Sequence, residues 1–216
     1  MSKVSVNRLP PNSRAARRAA FLEVATEVFV EFGYDRTSLD DIIARAGGSK
    51  STIYANYGSK EGLFRAIMQD MVDAVFEDTQ EDQTDTDDEG KPVRDRLMHY
   101  GLGITAGLCH PRNDTMWRLL MSATWQFPDI AQHHYAIGPK SALADVSAIL
   151  KDAMARGEIR NIDPRRGAEI FLGSMRHFDV VIGRLLGVAK APSAKEQAAI
   201  VEDAVDVVLQ GLATQD

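Results

Sequence analysis

Residues 38–57, SLDDIIARAGGSKSTIYANY, decide how the rest of the chain is read. Leu39, Ile42, Ile43 and Ala46 recur at i, i+3, i+4 and i+7, the spacing of one buried helix face. Thr37 is placed to cap that helix, with Asp40 three residues on in the capping-box position. Gly47-Gly48 ends it, because glycine takes the left-handed conformation that helix C-termini often need. Ser49 can cap a second short helix at once, with Ile53 and Tyr57 as its apolar stripe. Two short helices across a glycine turn read as a helix-turn-helix. On the second helix Lys50, Ser51, Thr52, Tyr54, Ala55 and Asn56 face outward. A cation, small hydroxyls, a phenol and an amide on one face suit phosphates and base edges.

Outward from this stretch, the flanks supply its supports. Asn12 or Ser13 caps a helix over about 14–32, with Phe21, Val24, Ala25, Val28 and Phe32 inward. Arg14, Arg17 and Arg18 cluster in its first turns. Cations there oppose the helix dipole, so helix stability does not account for them; either a solvated basic face or phosphate contact at a groove edge does. On the other side Ser59 caps a helix through about residue 77, with Leu63, Phe64, Ile67, Met71 and Val75 on its apolar side.

These residues resemble the DNA-binding domain of the TetR family of one-component transcriptional regulators. The likeness rests on three segments in order. Residues 19–47, AAFLEVATEVFVEFGYDRTSLDDIIARAG, resemble the family's first two helices with the aromatic-Gly-Tyr break between them. Residues 49–57, SKSTIYANY, resemble its recognition helix, and residues 58–64, GSKEGLF, the opening of its fourth helix. Gly48 stands where the family usually has an apolar residue, Tyr57 where Phe is common, and Ala55 and Asn56 where aromatic or His side chains are frequent. Operator sequence preference therefore does not carry over. The resemblance implies that Lys50 or Thr52 reaches base edges in the major groove. Ser49, Ser51, Tyr54 and Lys60 are placed for phosphates, and Thr37 and Ser38 add donors at a helix N-terminus. Asn56, Tyr57 and the three arginines complete the expected DNA-contacting set.

The remainder reads as helical throughout. The expected helices cover about 93–109, 113–127, 128–135, 139–156, 163–187 and 194–213, which gives an all-α chain of nine or ten helices. Residues 77–91, EDTQEDQTDTDDEGK, carry eight carboxylates and no large apolar residue, and read as a solvated loop or frayed helix end. The layout of residues 127–139 and 155–187 resembles the C-terminal domain of the AefR-like branch of the family. The expected division is a flexible arm at 1–12, a three-helix helix-turn-helix DNA-binding domain at 13–60, and a helical effector-binding and dimerisation domain at 61–216. The resemblance implies a homodimer paired through the last two helices, a double-stranded operator as partner, and a small-molecule effector. Tyr100, Trp117, Met121, Trp125, Met175 and Phe178 are the expected lining of the effector cavity.

Composition sets limits on this reading. Residues 1–60 hold nine Lys/Arg against six Asp/Glu, net +3, and the remainder sixteen against twenty-five, net −9. A basic head on an acidic body keeps the body off DNA. No run of eighteen apolar residues exists, so no membrane partner is expected. The single cysteine, Cys109, forms no internal disulfide, which fits a cytoplasmic protein. His133 and His134 are adjacent and cannot face one way on a helix, so no metal is expected. No nucleophile elbow, phosphate loop or paired-carboxylate signature marks an enzyme, and no cofactor is implied. A helical protein-interaction module or activator is the other reading the sequence allows.

Overall fold

The computed structural model describes residues 13–83, 90–175 and 179–212, with backbone alone over 73–83 and at 179. The expected arm, residues 84–89 of the acidic stretch, Phe178 and the last four residues lie outside this range. The described chain is helical: α1 Arg14–Arg36, α2 Leu39–Ala46, α3 Lys50–Tyr57, α4 Lys60–Gln83, α5 Val93–Cys109, α6 Pro111–Ala123, α7 Pro128–Ile137, α8 Pro139–Ala155, α9 Pro164–Ser174 and α10 Ala194–Leu212.

Local chemistry sets most of these boundaries. The Ser13 hydroxyl accepts from the Ala16 amide at the start of α1, and Asp163 accepts from the Arg165 and Arg166 amides ahead of α9, with Pro164 in the first turn. Ser193 and Glu196 form a reciprocal cap on α10. α1 breaks at Gly33, whose φ of 75° turns the chain toward α2.

Several boundaries differ from the sequence reading, among them that of α6, expected over 113–127 and found over Pro111–Ala123. The cap of α2 is Ser38 with Asp41, one residue later than expected: Asp41 N–H donates to Ser38 Oγ at 3.2 Å and Ser38 N–H to Asp41 Oδ2 at 2.9 Å. Thr37 is instead buried, and its hydroxyl donates back to Gly33 O at 2.7 Å. α4 continues helical to Gln83, into the acidic stretch. The helix expected over 163–187 divides. α9 ends at Ser174, and a π-helical turn, Asp179–Gly183, comes after it. The turn precedes Arg184, which is only 3% exposed. The Arg184 guanidinium donates to Leu108 O at 2.8 Å and pairs with Asp114 at 2.9 and 3.2 Å. A wider turn here lets a charged side chain reach a partner seventy residues away.

Packing forms two buried clusters. One holds Phe29, Ile42, Ile53, Leu63 and Phe64 from α1–α4 together with Met116, Leu119, Leu120, Ala123 and Phe127 from α6 and the turn after it. The other joins α5, α8, α9 and α10 around Leu97, Val146, Leu150, Phe171 and Val205. The first cluster is what holds the helix-turn-helix against the body.

Candidate nucleic-acid interface

α3 is short, and one deep anchor fixes it. Ile53 is 2% exposed in the core, while Tyr57 is half-buried with its ring stacked against Phe21 at 6.2 Å. Ser49 caps the helix by accepting from Thr52 N–H at 3.2 Å, and its hydroxyl also meets Ser51 and Thr52 hydroxyls at 2.7 and 2.9 Å. Asn56 donates its amide to Thr52 O at 2.8 Å. Lys50, Ser51, Thr52, Tyr54 and Asn56 remain exposed, with the Ile53–Tyr57 stripe turned inward, as the spacing predicts. Lys50 Nζ donates to Asp40 Oδ2 at 2.8 Å across the turn, and this bond raises the pKa of its ammonium. A phosphate reaching Lys50 therefore competes with Asp40.

The supporting residues divide by role. Arg14, Arg17 and Arg18 are exposed on the first turns of α1. Ser38 is exposed at the start of α2, where first-turn amides lack helical partners. Its own N–H and hydroxyl both donate to Asp41, whose carboxyl they hold below the usual range. Thr37 does not join it: its N–H and hydroxyl are both directed at Gly33 O. Lys60 also turns inward, donating to Tyr34 O at 2.8 Å and Thr37 O at 2.9 Å with its ammonium 4.3 Å from the Tyr34 ring centroid. It thereby ties the start of α4 to the carbonyls that close α1. Two of its three donors are engaged on the protein, so a phosphate would meet only the third.

Sequence reasoning missed the junction between head and body. Phe127 packs edge-on to Tyr34 at 4.7 Å and against Phe64 at 5.5 Å, and the Arg65 guanidinium lies over its ring at 5.2 Å. Arg65 pairs with Asp129 and with Glu61, which raises the arginine's pKa and lowers that of Asp129. Gln126 donates to Asp35 beside it. The sequence held one signal, Pro128 opening α7 directly after Phe127, but nothing local pointed that ring at the head.

Of the expected effector lining, Phe178 lies outside the described residues, and the other five stand in different surroundings. Tyr100 donates to Asp145 at 2.9 Å, and burial together with that carboxylate raises its pKa. Met175 is fully buried against Gly101 in the second cluster. Trp117 packs edge-on to buried His134 at 5.1 Å beside the first cluster. Met121 and Trp125 are 63% and 94% exposed. Met121 lies on α6 away from the Met116–Ala123 core face, and Trp125 lies in the turn after α6 has ended at Ala123. Among the described residues no group of three His, Cys, Asp or Glu is placed to hold a metal.

The outward α3 face, its glycine turn and the all-helical body can be set beside known proteins. Residues 21–67 match the family model of bacterial regulatory proteins of the tetR family, and residues 95–211 match that of the AefR-like transcriptional repressor C-terminal domain. The chain belongs to the TetR family. Members of the TetR family are DNA-binding transcriptional regulators rather than enzymes, and they act as dimers. The transcriptional repressor ComR of Escherichia coli K12 is 31% identical over 146 residues, covering 66% of this chain and 67% of ComR. The transcriptional activator FasR of Mycolicibacterium smegmatis is 38% identical over 88 residues, covering 41% of this chain, and the chain spans only 39% of FasR's length. The structure of the Flavonoid-responsive Regulator FrrA superposes with a TM-score of 0.66 over 94% of this chain and 100% of that one at 24% identity. A TetR-family regulator of Mesorhizobium loti superposes at 0.65 with 20% identity over 94% and 100% of the two chains. These two likenesses concern the fold. No described helix is long and apolar enough to cross a membrane.

Proposed function

We propose that the chain is a cytoplasmic, dimeric repressor that sets α3 into the major groove of a palindromic operator and leaves it when a small molecule fills the body. Residues 13–60 serve as the DNA-binding domain and residues 61–216 as the effector-binding and dimerisation domain. The observation that carries the reading is the exposed polar face of α3, fixed by Ile53 beneath and Ser49 at its end. Lys50 and Thr52 reach base edges; Ser51, Tyr54 and the α1 arginines meet phosphates. Twofold pairing is supported by exposed apolar side chains in the last part of the chain: Ile170 on α9, Ile182 on the π-helical turn, Leu186 and Val188 after that turn, and Val207 on α10. A dimer so built presents two α3 helices to half-sites about 34–36 Å apart. Effector binding acts by favouring a dimer whose heads no longer match that spacing.

The test is an anisotropy titration of inverted repeats taken from the DNA beside the gene, with Tyr54→Ala run against the parent. Tyr54→Ala is expected to weaken binding at least tenfold, and equal binding by both chains overturns the assignment. FasR, named as an activator, supports a second reading in which the same head recruits rather than blocks transcription. A reporter under the recovered operator decides between them by the sign of its response.

A further inference from the structure

The head carries a concavity beside the outward face of α3. A cleft of about 1070 Å³ opens between the first half of α1, the Gly47–Gly48 turn, α3 and the start of α4. Small residues keep part of its border open. Ala20, Ala46 and Ala66 stand on three sides, and Gly47 and Gly48 add nothing. A Cβ built on either glycine meets no atom within 4 Å.

Its chemistry is two-fold. Phe21, Val24 and Ile53 give it an apolar floor, which releases water to any hydrocarbon that covers it. Arg14, Arg17, Arg18 and Arg45 stand around the opening, and no Asp or Glu lines it. Glu31 pairs with Arg45 from outside at 2.5 Å and Arg17 has an interaction of its own, so the cationic excess of the rim rests on Arg14 and Arg18. Volumes of several hundred cubic ångströms hold a small organic molecule. Guanidinium groups prefer carboxylate or a similar oxyanion.

We propose that this cleft binds an amphipathic anion, a carboxylate on an aliphatic or aromatic tail, with the tail on the Phe21–Ile53 floor and the carboxylate on the arginines. Ser49, Thr52 and Asn56 of α3 form one wall of the same cleft. An occupant therefore covers residues assigned to DNA and displaces the duplex directly, with no conformational relay through the body. That second step rests on the α3 reading above; the binding step does not.

The experiment uses the full chain. Anilinonaphthalene sulfonate, an aromatic anion, is titrated by fluorescence and displaced with decanoate, with decanol (tail without charge) and with acetate (charge without tail). Decanoate is expected to displace it at a concentration at least tenfold below decanol, and acetate not at all. Two double variants are then compared, with thermal melts as the folding control: Ala20→Leu with Ala66→Leu fills the floor, and Arg14→Gln with Arg18→Gln removes rim charge. Each is expected to weaken decanoate binding at least tenfold. If the filled variant fails to fold, the rim variant decides. Parent-like decanoate binding in the folded variants, or equal displacement by decanol, overturns the proposal. Binding confined to a chain lacking residues 1–12 assigns the cleft to that segment and overturns it also. A labelled duplex at low salt reads the second step: decanoate releases it from the parent and not from the floor-filled variant. A duplex that never binds refutes the α3 reading, while the fluorescence titration still decides the cleft.

Discussion

Replacing Phe127 with alanine tests the junction that joins reader to body. The ring is 6% exposed and touches Tyr34, Phe64 and the Arg65 guanidinium. Deleting a buried phenyl costs about 3–5 kcal/mol. Its rim faces the exposed Arg65–Asp129 pair, which can collapse into part of the void, so the expected cost is near about 3 kcal/mol. For a chain of this length that lowers the melting temperature by roughly 6–12 °C. The assay is differential scanning calorimetry at fixed protomer concentration, because dimerisation makes melting concentration-dependent. Phe127→Leu keeps most of the volume and is expected to lose only about 1 kcal/mol. A double-mutant cycle with Tyr34→Leu isolates the edge-on pair, for which roughly 0.5–1.5 kcal/mol is expected. A Phe127→Ala protein melting within about 2 °C of the parent, or a cycle that closes at zero, would refute the reasoning.

Arg184→Ala leaves the Asp114 carboxylate and the Leu108 carbonyl without their guanidinium, and is expected to cost about 2–4 kcal/mol by urea denaturation. Leu186→Arg with Val207→Arg places charge on the exposed apolar surface of the last helical segments; sedimentation is expected to show monomers, with the fold unchanged by circular dichroism. Burial, and then the neighbouring His133, lower the pKa of His134. The unfolded chain therefore binds that proton first as pH falls below about 6.5. Stability is fully present above that value and declines below it toward the folded pKa, by at most about 1.4 kcal/mol per pH unit. Melts from pH 7.5 to 5 are expected to show this slope, and His134→Phe to flatten it.

The helix-turn-helix was legible because its determinants are local. Leu39 and Ile42 repeat at helical spacing, Gly47 and Gly48 both take positive φ, and Ser49 caps α3 directly after them. The cap of α2 slipped by one residue because Thr37-Ser38 and Asp40-Asp41 offer two equivalent registers. The choice was made by Thr37 finding Gly33 O, a contact with the break in α1. The break after Ser174 had no sequence mark, since no proline interrupts 165–187 and the Arg184–Asp114 pair spans seventy residues. An effector lining is hard to read from spacing for a related reason. Spacing assigns residues to a face of one helix and is silent on which neighbour, if any, covers that face. Met121 and Trp125 share a face with Trp117 by spacing, and solvent covers them.

Phe29, Ile42 and Leu63 lie in one continuous cluster with Met116, Leu119 and Phe127. The helix-turn-helix thus borrows its interior from the helices that follow it. Cut after residue 60, it would expose the aromatic surface it rests on. A hybrid regulator made by grafting this head onto another sensor must carry the α6–α7 turn along, or find a host whose own turn offers an aromatic ring at the same height. Modularity in this chain stops at the sequence; the folded object has a shared wall.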